Sequence, residues 1–435
     1  MEEWCFLRIL CRRIQNVTIK NANMHSVEND SIKLSLDTAR TLAVYKQGLS
    51  ERPVFADKET LLNTIRRIGL LQLDTINVVA RNHYLVMLSR VGLYDPADLE
   101  ALLYPDRCLF EQRAHAACLV PTEDYKYFAP VILASRQQPH RKIDRLGTSA
   151  QDVLETVLNE VTKRGPLASK DFEDPRPERG GWWDWKPAKL ALEILFEQGY
   201  LMIDRRVNFQ RYYDLAERVL LNDPNRQTKT IEDWKRWATL CSLLYLGVAT
   251  IEQISDYYRQ QKVDVYSTIK ELLTEGAVIP TEVEGWKEQA YLNSADRIIV
   301  EAIEAGLYRS ELTVFLAPFD NLIWDRRRVH DLFGFDYHVE FYTPLAKKER
   351  QYGYYVLPIL YHGRLVGRLD PKVDRMSKTL IIHSILIADS QSLTECLLVG
   401  ISGALREFMT FHGCHSLVIE RTSPEKLKTE LLSLM

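Results

Sequence analysis

The chain has 435 residues, of which 46% are hydrophobic and 26% are charged, a composition typical of a soluble globular protein. Collagen-like, wholly disordered and disulfide-scaffold proteins are excluded by this composition. The formal net charge is −3, from 56 Lys and Arg residues against 59 Asp and Glu residues, whereas a purely electrostatic nucleic-acid binder is usually strongly basic. A protein of this charge that binds DNA therefore needs a local basic patch or a shaped site.

The seven cysteines are unequally spaced and form no C-x-x-C pair, which favours a reducing cytoplasmic compartment. We expect neither a metal nor a cofactor, although His412 and His415 flank Cys414. No apolar run approaches the roughly 20 residues of a membrane span, so we expect no membrane partner. Residues 1–30 are poorly patterned and are expected to be a disordered extension, with Met24 as a candidate start.

The first patterned region is helical. Apolar spacing predicts helices over residues 34–47 and 58–68, a long helix from Thr75 to Gly92 and further helices to about Tyr127. We interpret residues 34–127 as a further copy of the three-helix, two-strand unit that follows them, with a degraded wing.

Three helices followed by two strands then occur twice, an order typical of a winged helix. The first copy has helices at 149–163, 169–172 and 187–198 and strands at 200–204 and 209–215, with a turn at Arg206–Asn208. The second copy has helices at 231–247, 250–258 and 263–276 and strands at 277–283 and 288–293. The pattern therefore predicts tandem winged helices.

After Glu311 the apolar period shifts towards two, which indicates strands. The expected elements are strands at 339–343, 353–361, 364–370, 378–389 and 416–420 and helices at 391–411 and 424–433. The fold class is thus mainly α with an α+β C-terminal region. The expected domains are the extension at 1–30, winged helices at 31–130, 131–225 and 226–305, and a strand-rich domain at 306–435.

The sharpest candidate for chemistry is Gln72-Leu73-Asp74, because P-loop, dinucleotide, zinc-protease and serine-hydrolase motifs are absent from the sequence. In an extended segment, Gln72 and Asp74 would point to one side and hold a water molecule between an amide and a carboxylate. The alternative is that Asp74 is the N-cap of a helix starting at Thr75, and the residues alone favour this capping role.

Basic residues suggest where phosphates bind. Residues 321–378 contain eleven Lys and Arg residues against seven Asp and Glu residues, a net charge of +4 that leaves the rest of the chain at −7. The predicted DNA-binding residues are Arg205, Arg206, Arg326, Arg327, Arg328, Arg364, Arg368, Lys372 and Arg375. The alternative for the arginine triplet is a solvated helix face. Trp182, Trp183 and Trp185 either stack on a base or pack under a loop.

Four segments together resemble the winged-helix DNA glycosylases of the YcaQ/AlkZ family, over about residue 34 to the C-terminus. They are LLQLDTINVVARNHYLVMLSRVG, WWDWKPAKLALEILFEQGYL, PFDNLIWDRRRVHDLFGFDYHVEFY and YGYYVLPILYHGRLVGRLDPKVDR. The family's catalytic motif, glutamine, an apolar residue, then glutamine or aspartate, falls on Gln72, Leu73 and Asp74 in the aspartate form of the YcaQ branch. The resemblance implies three tandem winged helices and a β-barrel-like domain around a C-shaped cleft.

The resemblance further implies a monofunctional, metal-independent glycosylase that acts on N7-alkylated purines and interstrand crosslinks in double-stranded DNA. Asp74 would activate water and stabilise the oxocarbenium ion, and it could cap a helix at the same time. Gln72 would orient the water, and we expect a monomer associated with the nucleoid. The alternatives are a non-catalytic winged-helix DNA-binding protein, such as a transcription regulator, and a protein-interaction scaffold.

Overall fold

The computed structural model describes residues 31–137, 142–173, 186–220, 229–342, 350–388 and 391–435. The expectations for the extension at 1–30, for Met24 and for Trp182, Trp183 and Trp185 lie outside the described residues.

Fifteen α-helices and fourteen strands lie in the described ranges. The helices are α1 Leu36–Lys46, α2 Lys58–Ile68, α3 Asn82–Val91, α4 Pro96–Leu103, α5 Tyr125–Ser135, α6 Ala150–Arg164, α7 Pro187–Glu197, α8 Ala216–Val219, α9 Ile231–Leu246, α10 Ile251–Tyr257, α11 Lys262–Thr274, α12 Arg297–Glu304, α13 Arg326–Phe333, α14 Glu395–Phe411 and α15 Lys426–Ser433. The strands are β1 Ile32–Leu34, β2 Leu71–Gln72, β3 Leu109–Arg113, β4 Ala117–Pro121, β5 Leu201–Val207, β6 Gln210–Leu215, β7 Val248–Thr250, β8 Val278–Val283, β9 Ala290–Asn293, β10 Thr313–Phe315, β11 Leu357–Tyr361, β12 Arg364–Asp374, β13 Thr379–Ile387 and β14 Ser416–Ser423.

The first helix–hairpin unit runs from α2 to β4, and its hairpin is complete. Strands β3 and β4 pair antiparallel over five residues each, and β2 adds a third strand beside β4. The expectation of a degraded wing, with helices continuing to about Tyr127, is therefore wrong. The segments LFEQR and ACLVP show no alternation of apolar and polar residues, and each strand is too short to outweigh the helical periodicity around it.

The second helix–hairpin unit consists of α6, a 3-10 turn at Ser169–Asp171, α7 and the β5–β6 hairpin, which is the expected order. The third consists of α9, α10, α11 and the β8–β9 hairpin in the expected order, with the additional strand β7 between α9 and α10. The turn of the β5–β6 hairpin lies at Asn208 and Phe209, both with positive φ, rather than at 206–208. Helix α5 crosses the boundary expected between residues 130 and 131. In the third unit, β1 pairs in parallel with β8, so the first described residues join this sheet.

The hydrophobic cores join units that are distant in sequence. One core combines α2, α3 and α4 of the first unit with strands β11 to β13 and helix α14. Another combines α1 with the third unit and β10. Residues 34–49 thus share a core with the third unit, although the expected domain boundaries assigned them to the first winged helix at 31–130.

The C-terminal sheet is open, with the strand order β10-β11-β12-β13-β14 and β10 and β14 at its edges. The expected β-barrel is therefore wrong. Helix α14 packs on β10 and helix α15 on β14, and both helices bury apolar residues in the core that covers the sheet. Because helices cover the apolar face, closure into a barrel is not needed to bury it.

The strand expected at 339–343 is absent from residues 339–342, and residues 343–349 lie outside the described chain. Glu340 is only 5% exposed, and its carboxylate accepts hydrogen bonds from the backbone amides of Gln351, Tyr352 and Gly353 at 2.9, 2.9 and 3.0 Å. This buried carboxylate binds a loop and replaces the strand pairing that the alternation predicted.

None of the helices in the described ranges is both long and apolar enough to cross a membrane. Within the same ranges, no three His, Cys, Asp or Glu side chains cluster as metal ligands would.

Candidate active site

The Gln72-Leu73-Asp74 segment is extended at its start. Leu71 and Gln72 pair with β4, and the amide of Leu73 donates to the carbonyl of Ala117 at 2.8 Å. Leu71 and Leu73 are buried in the same core, which places them on one side of the segment. The extended geometry expected from the sequence is confirmed over residues 71–73.

The helix expected from Thr75 is wrong, because residues 73–81 form a loop and α3 begins only at Asn82. Asp74 therefore caps no helix. Its Oδ1 instead accepts the backbone amide of Ile76 at 2.7 Å, which closes a short turn within the loop.

Donors from the C-terminal sheet explain why the loop is not helical. Arg375 donates to the carbonyl of Val79 at 3.1 Å and to the carbonyl and side chain of Asn77 at 3.4 and 3.1 Å. The hydroxyl of Tyr355 donates to the carbonyl of Ala80 at 3.3 Å. In a helix these carbonyls would accept amides four residues later, so tertiary contacts replace the helical hydrogen bonds.

Asp74 is half-buried, and its two carboxylate oxygens have different partners. Oδ2 accepts a hydrogen bond from the hydroxyl of Tyr342 at 3.3 Å, and Oδ1 accepts the amide of Ile76. Burial raises the pKa of Asp74 above its usual 3.8, although both hydrogen bonds oppose the rise. Burial and the neighbouring carboxylate raise the pKa of Tyr342 to about 12, so its hydroxyl remains a donor at neutral pH. The result is a carboxylate that is less solvated and more basic than a surface aspartate.

Gln72 is buried, at 7% exposure, and its backbone is hydrogen-bonded to a side chain ten residues later in the chain. Its carbonyl accepts a hydrogen bond from the side chain of Asn82 at 2.9 Å, while the same side chain accepts the amide of Phe319 at 3.0 Å. The amide side chain of Gln72 has no hydrogen bond to another described residue and can bind a water or a ligand. Asn82, Tyr342 and Tyr355 could not be predicted from the sequence, since their contacts span about 240 to 280 residues and leave no local pattern.

The segment at 318–334 stabilises the elements that carry the site through Asp320 and Asn321 rather than through its arginine triplet. Asp320 forms a two-pronged ion pair with Arg90 at 2.6 and 2.9 Å, with both side chains at most 1% exposed. Asn321 donates to the carbonyl of Leu70 at 2.8 Å, two residues before Gln72. Removing one member of such a buried ion pair costs about 3–5 kcal/mol, which indicates how firmly this support is built.

The prediction that Arg328 binds phosphate is wrong. Arg328 is 2% exposed, and its guanidinium donates to the carbonyls of Val248 and Leu246 and to the side chain of Gln253. The helix therefore turns one arginine of the triplet into the core, a distinction that charge counting cannot make.

The other two arginines of the triplet are also engaged. Arg326 is half-buried, donates to the carbonyl of Pro318 at 2.8 Å and lies over the ring of Tyr337. Arg327 is exposed and pairs with Glu252 and Glu288 at 3.0 and 2.7 Å.

The basic residues in β12 and just after it differ in whether they already bind other residues of the protein. Arg364 pairs with Asp37 at 2.6 Å, and the guanidinium of Arg368 lies 3.8 Å from the ring centroid of Tyr352. Lys372 is exposed and forms no ion pair within the described residues. Arg375 is exposed but holds the loop beside Asp74.

The two arginines of β5 that were predicted to bind DNA also differ in their exposure. Arg205 pairs at the surface with Asp204 at 2.6 Å. Arg206 forms a two-pronged ion pair with Glu111 at 2.6 and 2.7 Å, and only 11% of its side chain is exposed. Apart from Arg328, the DNA-binding roles stay predictions.

Two cavities in the described part of the molecule lie away from the Gln72-Asp74 pair. One of about 520 Å³ lies between His115, Trp286 and Trp324, and one of about 180 Å³ lies between His83, Glu100 and Phe209. Neither is lined by Gln72 or Asp74, although Leu73 lines the smaller one.

Comparison with known proteins identifies the chain's relatives. The profile of the family described as DNA glycosylase AlkZ-like matches residues 65–410. Among solved structures, Streptomyces sahachiroi DNA glycosylase AlkZ is similar, with a TM-score of 0.59 and 14% sequence identity, over 90% of this chain and 100% of that chain. At this identity the likeness shows a shared fold. Because the profile covers well over half of the chain, this protein belongs to the AlkZ-like DNA glycosylase family.

Proposed function

We propose that this protein is a DNA repair glycosylase that hydrolyses the N-glycosidic bond of N7-alkylated purines in double-stranded DNA, with Asp74 as the catalytic carboxylate. The observation that carries the proposal is the half-buried Asp74, whose raised pKa and two defined hydrogen bonds stand out from those of a surface aspartate. Family membership supplies the class of reaction.

The chemistry needs only one carboxylate. An N7-alkylated purine is cationic, so it leaves with the electron pair of the glycosidic bond and requires no general acid, unlike most sugar substrates. Asp74 stabilises the positive charge that develops on the sugar and accepts a proton from the water that attacks C1′. Gln72, with its uncommitted amide, orients that water. A positioned base contributes roughly 10²–10⁴-fold to such a rate.

Bulky adducts and interstrand crosslinks fit the same site. A deep, closed pocket would exclude a base that remains tethered to the other strand. Asp74 is only half-buried, and its partner Tyr342 is 63% exposed, which favours reaction at an open surface. We therefore extend the proposed substrates to crosslinks that are attached through N7.

DNA binding is assigned to the helix–hairpin units, which we propose act as tandem winged helices around a C-shaped cleft. Arg205 in the second unit is exposed and pairs only with the adjacent Asp204, and Lys372 on β12 is exposed and forms no ion pair within the described residues, so both are candidates for phosphate contacts. A cleft that binds DNA as a monomer and reads a lesion requires only modest phosphate affinity, which is compatible with a net charge of −3.

A panel assay tests the proposal. The purified chain is incubated with duplexes that contain N7-methylguanine, with mustard-crosslinked duplexes and with undamaged duplexes, and abasic sites are counted together with the released base. We expect base release from the first two only, without strand cleavage by the enzyme and with chelator present. Binding to every duplex with no release from any would instead favour a non-catalytic DNA-binding protein, and a weak salt dependence of that binding would favour a protein scaffold.

A further inference from the structure

Two exposed tyrosines pack on one phenylalanine, and one of them, Tyr342, contacts Asp74. Tyr342 and Tyr354 are 63% and 41% exposed, and both rings pack edge-on against Phe341, at centroid distances of 4.6 and 6.3 Å. Phe341 in turn contacts Tyr355, which is buried in the core. We call Tyr342, Tyr354 and the supporting Phe341 the tyrosine shelf.

The shelf is rigidly supported, which distinguishes it from exposed aromatic residues that are scattered on a surface. Phe341 also packs edge-on against Phe319, whose amide is held by Asn82. The same Asn82 side chain clamps the carbonyl of Gln72. One connected set of contacts therefore fixes the shelf and the catalytic segment relative to each other.

The shelf also reaches the carboxylate of Asp74. The hydroxyl of Tyr342 donates to Oδ2 of Asp74 at 3.3 Å, so the ring of Tyr342 lies next to the carboxylate. A sugar whose C1′ faces Asp74 carries its base within reach of that ring. Arg350 already lies over the ring of Tyr354 at 4.7 Å, which shows that a planar cation can be accommodated there.

The charge of the substrate matches this surface. The face of a tyrosine ring attracts a cation electrostatically, and the attraction grows as water is displaced. An N7-alkylated purine carries a positive charge within a flat ring, whereas an undamaged purine is neutral. The charge disappears when the base leaves, so the attraction favours the bound substrate over the released product.

We propose that the tyrosine shelf is the lesion-recognition surface, which selects an N7-alkylated purine over an undamaged purine by stacking on its positive charge. This inference rests on the proposed function. It assigns Tyr342 and Tyr354 a role in specificity, expressed in substrate affinity, that is separate from the role of Asp74 in bond cleavage.

The test measures binding without turnover. In an Asp74→Asn background, the Kd is measured for a duplex with 2′-fluoro-N7-methyldeoxyguanosine and for the same duplex with 2′-fluorodeoxyguanosine, since the fluorine blocks cleavage. The variants are Tyr342→Leu and Tyr354→Leu, with Tyr342→Phe and Tyr354→Phe as matched controls that keep the ring. We expect each Leu variant to reduce the preference for the methylated duplex by about threefold to tenfold, and each Phe variant to retain it.

Affinity for the unmethylated duplex reports on folding and should not change in the Leu variants. An unchanged preference in both Leu variants, or a parent with no preference at all, overturns the inference while base release by the wild-type enzyme still stands. No release of N7-methylguanine by the wild-type enzyme refutes the proposed function itself, and with it the inference.

Discussion

Asp74 and Asp374 form the same kind of turn in opposite surroundings. Each carboxylate accepts the amide two residues later, Ile76 at 2.7 Å and Met376 at 3.0 Å. Asp374 lies at the surface, where hydrogen bonds from the hydroxyl and amide of Ser377 and from the amide of Met376 lower its pKa. Burial instead raises the pKa of Asp74.

The difference shows that the turn alone does not make a catalyst. Both aspartates have the local geometry that short polar side chains commonly adopt in loops. Both side chains are partly exposed, but only the carboxylate of Asp74 is desolvated enough for its pKa to rise, and only it accepts a hydrogen bond from an aromatic hydroxyl. Arg375 connects the two turns, because it follows Asp374 in sequence and holds the loop of Asp74.

The largest expected effect comes from replacing each aspartate by the amide of the same shape. Asp74→Asn should lower single-turnover release of N7-methylguanine by about 10²–10⁴-fold, because the water loses its base and the sugar cation its counter-charge. Asp374→Asn should stay within about twofold of wild type, as surface substitutions usually do. Equal losses in the two variants would end the distinction between the turns.

The next effect tests the connection between the turns. Arg375→Ala removes the donor to Asn77 and Val79, so the loop that carries Asp74 is held less precisely. We expect about a tenfold fall in kcat, which corresponds to a rise of about 1.4 kcal/mol in the activation free energy. Lys372→Ala, three residues earlier in β12, is the matched control, and it should weaken DNA binding and reduce the salt slope by about one while kcat stays unchanged. A change in KM alone for Arg375→Ala would mean that this arginine only binds DNA.

A smaller effect is expected from removing the hydroxyl that faces Asp74. The hydrogen bond from Tyr342 lowers the pKa of Asp74, so Tyr342→Phe should raise that pKa further. Since the ionised carboxylate is the active form, the acid limb of the pH–rate profile should move to higher pH, with little change well above it. A limb that moves to lower pH, or not at all, would contradict the proposed contact.

The smallest effect belongs to the exposed turn. Ser377→Ala removes the hydroxyl that donates to Asp374 at 2.7 Å, and the release rate should stay within about twofold of wild type. Activity and the salt dependence of DNA binding are measured together. A large loss of activity would show that the exposed turn takes part in the reaction.

The helix–hairpin repeats could be predicted from the sequence because each helix buries one apolar face, so its apolar residues recur with a period of 3.6. The loop at 73–81 was not, since its apolar residues have helical spacing while Arg375 and Tyr355 supply the hydrogen bonds that replace the helix. The open sheet was missed for a related reason: alternation predicts strands but does not say whether the edge strands meet.

The candidate site was predictable only in part. The residues of the Gln72-Leu73-Asp74 motif gave its position, but they favoured helix capping, and the resemblance to a family reversed that preference. Tyr342 and Asn82 reach the motif through tertiary contacts that no local pattern records. Arg328 has the same charge as its two neighbours, yet only the helix orientation decides that it is buried.

The pH dependence of single-turnover base release by the wild-type enzyme tests the central claim most directly. Burial that raises the pKa of Asp74 predicts a rate that falls as the pH drops through a single acid limb placed above 3.8, the ordinary value for an aspartate. Spontaneous depurination is subtracted with the Asp74→Asn variant, which should show no such limb. A rate that stays level down to pH 3.8, or a limb that persists in Asp74→Asn, would contradict the assignment of Asp74 as the half-buried catalytic carboxylate.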